Sequence, residues 1–411
     1  MSNANPRVFA VTLGFIVVVL APRVSRGQEV DPPQSPPPTR AAVIEQSQAE
    51  KAADLHPFTP SRVEQIIENV EQAMLTDSIR LHPYFESAYA GGGFTAGIGY
   101  RRHVSAYNLV DIRGSFTAKG YKRVEGAFMA PRLFDRRGSL TVVGGWRDAT
   151  QVGYFGTGIN TSVNDRANYR FTQPYGSASL DLWPTRKLLL LHGGVELSRW
   201  DIKGGKGDEP SIDAVYTPDT LPGLGTSTTY LHSEATLALD SRPSPGYARR
   251  GGYYGISFHD YHDQDGRYGF RRTDYEAIQH VPILRETWVL SLHGELQLAN
   301  AANNQTVPFF MLPALGGGSS LRGFASWRFR DLNSLLLSAD WRVIANRFLD
   351  MALIYDAGRV AARRSDLTSA PLKSDYGIGF RFHGPLSTPL RVEFVGSNEG
   401  LNIVFSAKAA F

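Results

Sequence analysis

Three histidine–carboxylate pairs stand out in the chain: His192 with Glu196, His232 with Glu234, and His293 with Glu295. A spacing of two or four puts both side chains of a pair on one face of a β-strand. Such a pair could hold a metal ion or move a proton. A second kind of feature is the run Gly316-Gly317-Gly318-Ser319-Ser320-Leu321-Arg322-Gly323-Phe324, with one arginine between a leucine and a glycine. It is not a phosphate loop, since neither a lysine nor a helix-forming run comes after it. It is not a nucleophile elbow either, because Leu321 takes the place of the closing glycine. The sequence has no cysteine, which removes disulfides, thiolate chemistry and cysteine-ligated zinc. No Ser-His-carboxylate set is apparent. We therefore expect no enzyme activity, no cofactor and no metal, and read the histidine pairs as polar groups of a wet interior. Arg322 is the residue around which the chain is organised.

The elements that would position it are read from pattern. Arg7 precedes an apolar run from Val8 to Ala21, the size of a signal-peptide core and too short to span a bilayer comfortably. Residues 1–27 are expected to be a signal peptide that takes the chain out of the cytoplasm. Residues 28–58, with Pro32, Pro33, Pro36, Pro37 and Pro38, read as a disordered linker. Over 59–79, Val63, Ile66, Ile67, Val70, Ala73 and Met74 share one face at helical spacing, so a short amphipathic helix is expected on the periplasmic side.

From residue 80 to residue 411 the period changes to two. In the last segment Leu401, Ile403, Phe405, Ala407, Ala409 and Phe411 fall on one side, against Asn402, Ser406 and Lys408. Segments at 188–197, 286–298 and 332–345 alternate in the same way. The chain carries 22 Phe, 18 Tyr, 6 Trp and 41 Gly, a composition suited to many strands and tight turns. Beyond residue 25 no run is apolar enough for a spanning helix. The net charge of +4 is scattered, which gives nucleic-acid binding no support.

The strands are long and their polar faces carry charges in strand after strand. That combination predicts an all-β fold, a 16-stranded antiparallel transmembrane β-barrel. Sixteen strands are read, the first at 82–90 and the last at 400–411. Long connections come after odd-numbered strands (149–168, 202–225, 300–331, 359–373) and short ones after even-numbered strands. In an outer-membrane barrel this parity puts both termini in the periplasm. Closure is expected between the first and sixteenth strands, since an open edge in lipid leaves backbone groups unpaired. Gly91, Gly92, Gly93, Gly97 and Gly99 weaken the first hairpin, or serve close packing there. Alternation turns Asp340, Arg342, Asp350, Asp356, Arg381, His383, Arg391 and Glu393 inward. An arginine entering that lumen would meet Asp340 and Asp356 on adjacent strands, and its planar fork suits carboxylates.

Here the residues reach a family. Gly317, Gly318, Leu321, Arg322, Gly323 and Phe324 resemble the sixth-loop motif of BamA/TamA-like outer-membrane barrels, the bacterial surface antigen family. Tyr355-Asp356-Ala357-Gly358 looks like that family's aromatic-Asp-x-Gly strand. Ser338-Ala339-Asp340-Trp341-Arg342 is similar to its Ser-x-Glu-aromatic-Arg strand, and residues 240–253 to its eighth-to-ninth turn. Phe411 matches the closing aromatic used as an assembly signal.

The resemblance implies a sixth loop threaded into the lumen, with Arg322 contacting Asp356 and Asp340, the second at shorter reach because Asp replaces Glu. It implies location in the bacterial outer membrane and insertion of the chain by the barrel-assembly machinery. Residues 28–79 leave no room for the POTRA modules of insertase members, so a POTRA-less member is expected. The function expected is assistance to insertion or translocation of proteins or lipids, with outer-membrane lipids and unfolded outer-membrane proteins as partners. The alternative is a passive pore or structural barrel plugged by the loop.

Overall fold

A computed structural model describes residues 39–53, 62, 65 and 80–411 with the exception of 285. The expected signal peptide and, apart from residues 62 and 65, the amphipathic helix expected over 59–79 lie outside the described residues. The chain divides into two compact units, Met1–Thr59 and Pro60–Phe411. In the first, α1 (Arg40–Ala53) forms within the stretch expected to be linker. The proline-rich run ends at Pro38, and residues 40–53 are rich in Ala, Glu and Gln, all good helix formers. Thr39 caps the start, its hydroxyl accepting from Ala42 N at 3.4 Å.

The second unit is a 16-stranded antiparallel sheet in simple sequence order. Its first wall comprises β1 (Leu81–Pro83), β2 (Thr95–His103), β3 (Leu109–Thr117), β4 (Lys122–Leu133), β5 (Gly138–Tyr154) and β6 (Ala167–Leu182). The middle holds β7 (Leu189–Gly204), β8 (Ser227–Asp240), β9 (Gly251–Asp263), β10 (Phe270–Ile283) and β11 (Trp288–Ala301). A long excursion, residues 302–332, contains its own small ladder of β12 (Ala314–Leu315) and β13 (Phe329–Arg330). The sheet then resumes with β14 (Asn333–Ile344), β15 (Leu349–Ala361), β16 (Lys373–Phe382), β17 (Leu390–Ser397) and β18 (Gly400–Ser406). Among the described residues no helix is long and apolar enough to cross a membrane.

The faces are inverted relative to a water-soluble sheet. Leu337, Trp341, Leu353, Tyr355, Ile403 and Phe405 are exposed on the outside, while Asp340, Asp356 and Glu393 on the opposite face are fully buried. Apolar side chains outward suit lipid, and the charged residues face one another across the interior. The eight inward charges expected on β14 to β17 are all buried. The longer connections (155–166, 205–226, 302–332, 362–372) lie at one end. There Tyr154, Tyr169, Phe171, Trp200, Tyr230, Phe270, Phe309 and Phe310 pack into one buried cluster. At the other end the turn 241–250 folds inward, and Tyr247 donates to Asp350 at 3.0 Å.

The seam differs from expectation. Among the described residues no ladder joins β1 to β18, so the sheet is not closed by strand pairing. The first strand ends at Pro83 rather than near residue 90, because proline cannot donate to a ladder. Beyond it the chain packs inside: Tyr84 donates to Glu125 at 3.1 Å and Ser115 to the Glu86 carbonyl at 2.6 Å. Gly97 and Gly99 make room for this segment. A Cβ at 97 would lie 2.6 Å from the Tyr84 carbonyl oxygen, and one at 99 would strike the His82 ring. The last strand ends at Ser406 rather than Phe411, and the tail turns inward. Lys408 meets Glu86 at 2.9 Å, which brings the two ends of the sheet side by side without hydrogen-bonding their edges.

Candidate functional site

The glycine run sets the local path of the loop. Gly316 and Gly317 have φ of 115° and 106°, which L side chains rarely adopt. Two tight turns come next, Ser320 N to the Gly317 carbonyl at 3.1 Å and Phe324 N to the Leu321 carbonyl at 3.1 Å. They throw Leu321 and Phe324 into an apolar cluster with Leu315, Phe329, Leu336 and Val360. Arg322, between them, is directed at the wall.

The wall supplies three carboxylates. Arg322 Nε and one terminal nitrogen donate to the two oxygens of Asp356, each at 2.7 Å. That terminal nitrogen also reaches Asp340 Oδ1 at 2.7 Å, and the other reaches Asp340 Oδ2 at 3.3 Å and Glu393 Oε1 at 3.2 Å. The three carboxylates come from β14, β15 and β17, so one guanidinium ties the loop to three strands. Burial disfavours the charge on Arg322, but Asp340, Asp356 and Glu393 overcome this and hold its pKa well above the usual value.

Backbone contacts complete the grip. Gly323 N donates to Asp375 at 2.9 Å, Ser397 to the Gly323 carbonyl at 2.9 Å, Asn402 to the Arg322 carbonyl at 2.7 Å, and Arg391 to the Gly318 carbonyl at 2.8 Å. Arg381 donates to Asp340 as well, which spreads that carboxylate over two cations.

The motif glycines have separate steric reasons. A Cβ on Gly323 would stand 2.6 Å from Asp375 Cβ, one on Gly358 2.9 Å from Leu315, and one on Gly318 2.9 Å from Val404. The structure thus brings together Gly317, Gly318, Leu321, Arg322, Gly323, Phe324, Asp340, Asp356 and Gly358. It places Phe411 elsewhere. The terminal ring lies inside, 5.0 Å from His293 and 6.4 Å from His280.

Several site residues escaped the sequence. Glu393 was on the inward face but not assigned to Arg322. Asp375 lies on the same face of β16 as Arg381, a signal that was available. Arg328 and Arg330, later in the same loop, are each 1% exposed. Arg328 pairs with Glu399 at 2.8 Å and Arg330 donates to Tyr169 at 3.2 Å, so the loop is pinned at its return as well as its tip.

His192 and His293 do not pair as spaced, whereas His232 and Glu234 stand in one cluster with His259. His192 bonds Asp181 at 2.7 Å and Glu234 at 2.9 Å, and His293 bonds Glu276 at 3.1 Å. Residues two apart on a strand lie roughly 6.6 Å apart along it. Cross-strand neighbours are closer, about 4.5–5.5 Å, and take the bonds.

A model of the Omp85 superfamily domain matches residues 108–395. Similar solved structures include BamA from Haemophilus ducreyi lacking POTRA domains 1-3, at 13% identity and a TM-score of 0.58, covering 87% of this chain and 80% of that one. CdiB from Escherichia coli is also 13% identical, with a TM-score of 0.53, over 80% of this chain and 60% of that one. At such identities the likeness is one of fold. A search of curated proteins returned no match.

Proposed function

This chain belongs to the Omp85 superfamily, and from that premise we propose that it assists insertion or translocation of proteins or lipids at the bacterial outer membrane through the seam between β1 and β18. Both termini face the periplasm in this reading. Arg322 is the lock that keeps the sixth outer loop in the lumen, and Phe411 is the signal by which the chain is itself inserted. Unfolded outer-membrane proteins and membrane lipids are the partners that fit.

The observation that carries the reading is the pair of edges that, among the described residues, have no ladder between them. Every other neighbouring pair in the sheet is hydrogen-bonded, and unpaired backbone groups in lipid cost several kcal/mol each. Such edges are templates on which an incoming strand can pair. Among the described residues, the ion pair Glu86–Lys408 links the segments that follow them. The competing role is a passive pore or structural barrel plugged by the loop, and the loop contacts that fill one end of the lumen support the plug.

The test uses the absence of native cysteine. Glu86→Cys and Lys408→Cys, bridged by a short bismaleimide, hold the seam shut. Proteoliposomes then report assembly of a urea-unfolded outer-membrane barrel protein. Loss of assembly on bridging, restored with a cleavable linker, is the expected result. Undiminished assembly by the bridged protein would count against the seam as the route, and large ungated conductance without any assembly would count for the pore.

A further inference from the structure

On the lumenal face of the middle strands, away from Arg322, β8 and β9 bring two imidazoles together. His232 Nε2 and His259 Nδ1 lie 3.1 Å apart, and the rings are 20° from parallel. Glu234 Oε2 stands 3.4 Å from the same His259 nitrogen. One donor atom from each of the three residues lies within 4.8 Å of the other two.

The outward contacts of this trio have the character of a supporting shell. The remaining nitrogen of His259, Nε2, is 3.3 Å from Asp274 on β10. A carboxylate behind a ligating histidine fixes its ring and raises its basicity. The other oxygen of Glu234 accepts from His192, which is braced in turn by Asp181. His232 is stacked on Tyr261 at 4.1 Å, which sets its plane. Asp181, Glu234 and Asp274 surround the group with negative charge, and Arg272 is bonded to Asp274 at 2.9 Å.

We propose that the lumen carries a binding site for one divalent transition-metal ion, held by His232 Nε2, His259 Nδ1 and a Glu234 oxygen, with Asp274 and His192 orienting the ligands. The geometry suits it. With metal–nitrogen bonds of about 2.0–2.1 Å, nitrogens 3.1 Å apart subtend roughly 100° at the metal, near the tetrahedral value. Without an ion the two facing nitrogens must share one proton. The ion replaces that proton and releases it to solvent. Two imidazoles and one carboxylate favour zinc, nickel or copper(II) over magnesium or calcium, which prefer oxygen cages.

Full-length protein in detergent, titrated with Co2+ as the spectroscopic probe, tests the site. The result expected is visible ligand-field absorption that saturates at one equivalent and is abolished by Zn2+. His232→Ala and His259→Ala should each weaken binding by about 100-fold or more, and Asp274→Asn by about 10-fold. His262→Ala, on the outward face, should change nothing. Heat-modifiable gel mobility shows that each variant is folded. X-ray absorption of the Zn2+-loaded wild type, which needs no variant, should show two imidazole nitrogens at the metal. A non-saturating titration, binding that survives both histidine changes in folded protein, or an all-oxygen first shell would overturn the proposal.

Discussion

The loop-bearing wall and the seam are built from the same strand pattern and end in opposite states. On β14 to β17 a buried guanidinium meets three carboxylates, each fully buried, and every strand is paired on both sides. At β1 and β18, among the described residues, the edges have no ladder between them, and an ion pair nearby has side chains 40% and 73% exposed. Burial is the difference that matters. Taking one partner from a buried ion pair leaves an uncompensated charge, whereas an exposed pair is screened by water. The molecule therefore concentrates its electrostatic commitment where the loop must stay and leaves little where the sheet could part.

The sharpest way to break this contrast is at Arg322. Arg322→Ala takes the cation from Asp356, and leaves Asp340 to Arg381 and Glu393 to Arg381 and Arg391. It should cost about 3–5 kcal/mol, read as lower heat-resistant mobility on gels and a lower Tm. Unchanged mobility and Tm would remove the lock. Gly323→Ala probes the same contact without touching charge. Its Cβ would be forced against Asp375, so a loss of about 1–3 kcal/mol by denaturant unfolding is expected. Lys408→Ala, at the seam, should change stability by less than about 1 kcal/mol. A loss there as large as that of Arg322→Ala would erase the distinction between the two regions.

The smallest effect concerns acid. Burial raises the Glu86 pKa, but Lys408 and Arg123 outweigh it and leave the carboxyl below its usual 4.5. A lowered folded pKa contributes stability above the unfolded value and loses it as pH falls through the folded one. Protection of residues 407–411, corrected for the intrinsic pH dependence of amide exchange, should therefore be flat above pH 4.5 and fall only below it. A fall in protection near neutrality would show that another group holds the tail.

The two regions were unequally legible. Period-two alternation placed Asp340 and Asp356 inward, and the loop motif named Arg322, so the centre of the site could be read off the chain. Glu393 could be placed inward but not assigned, because its approach to Arg322 depends on sheet curvature that alternation does not encode. The nearest carboxylate on the face of β9 that carries His259 is Asp263, four residues on, and the pairs read from spacing did not include it. Its partners come from β8 and β10. The seam misled the reading for a plain reason. Leu401 to Phe411 keeps its alternation through Ala407 and Ala409, so nothing in the pattern marks where the chain leaves the sheet. At the other edge Pro83, the second residue of the strand expected over 82–90, carried the signal.

The most direct test of a lateral seam is site-specific photocrosslinking during assembly of an unfolded barrel protein. One crosslinker sits at Leu81 or Phe405 on the seam, and the other at Leu237 on the lipid-facing middle of the sheet; all three are exposed on the outside. Adducts with the incoming chain should form at Leu81 and Phe405 and be absent at Leu237. Adducts at all three positions alike, or at none while assembly proceeds, would contradict a lateral seam.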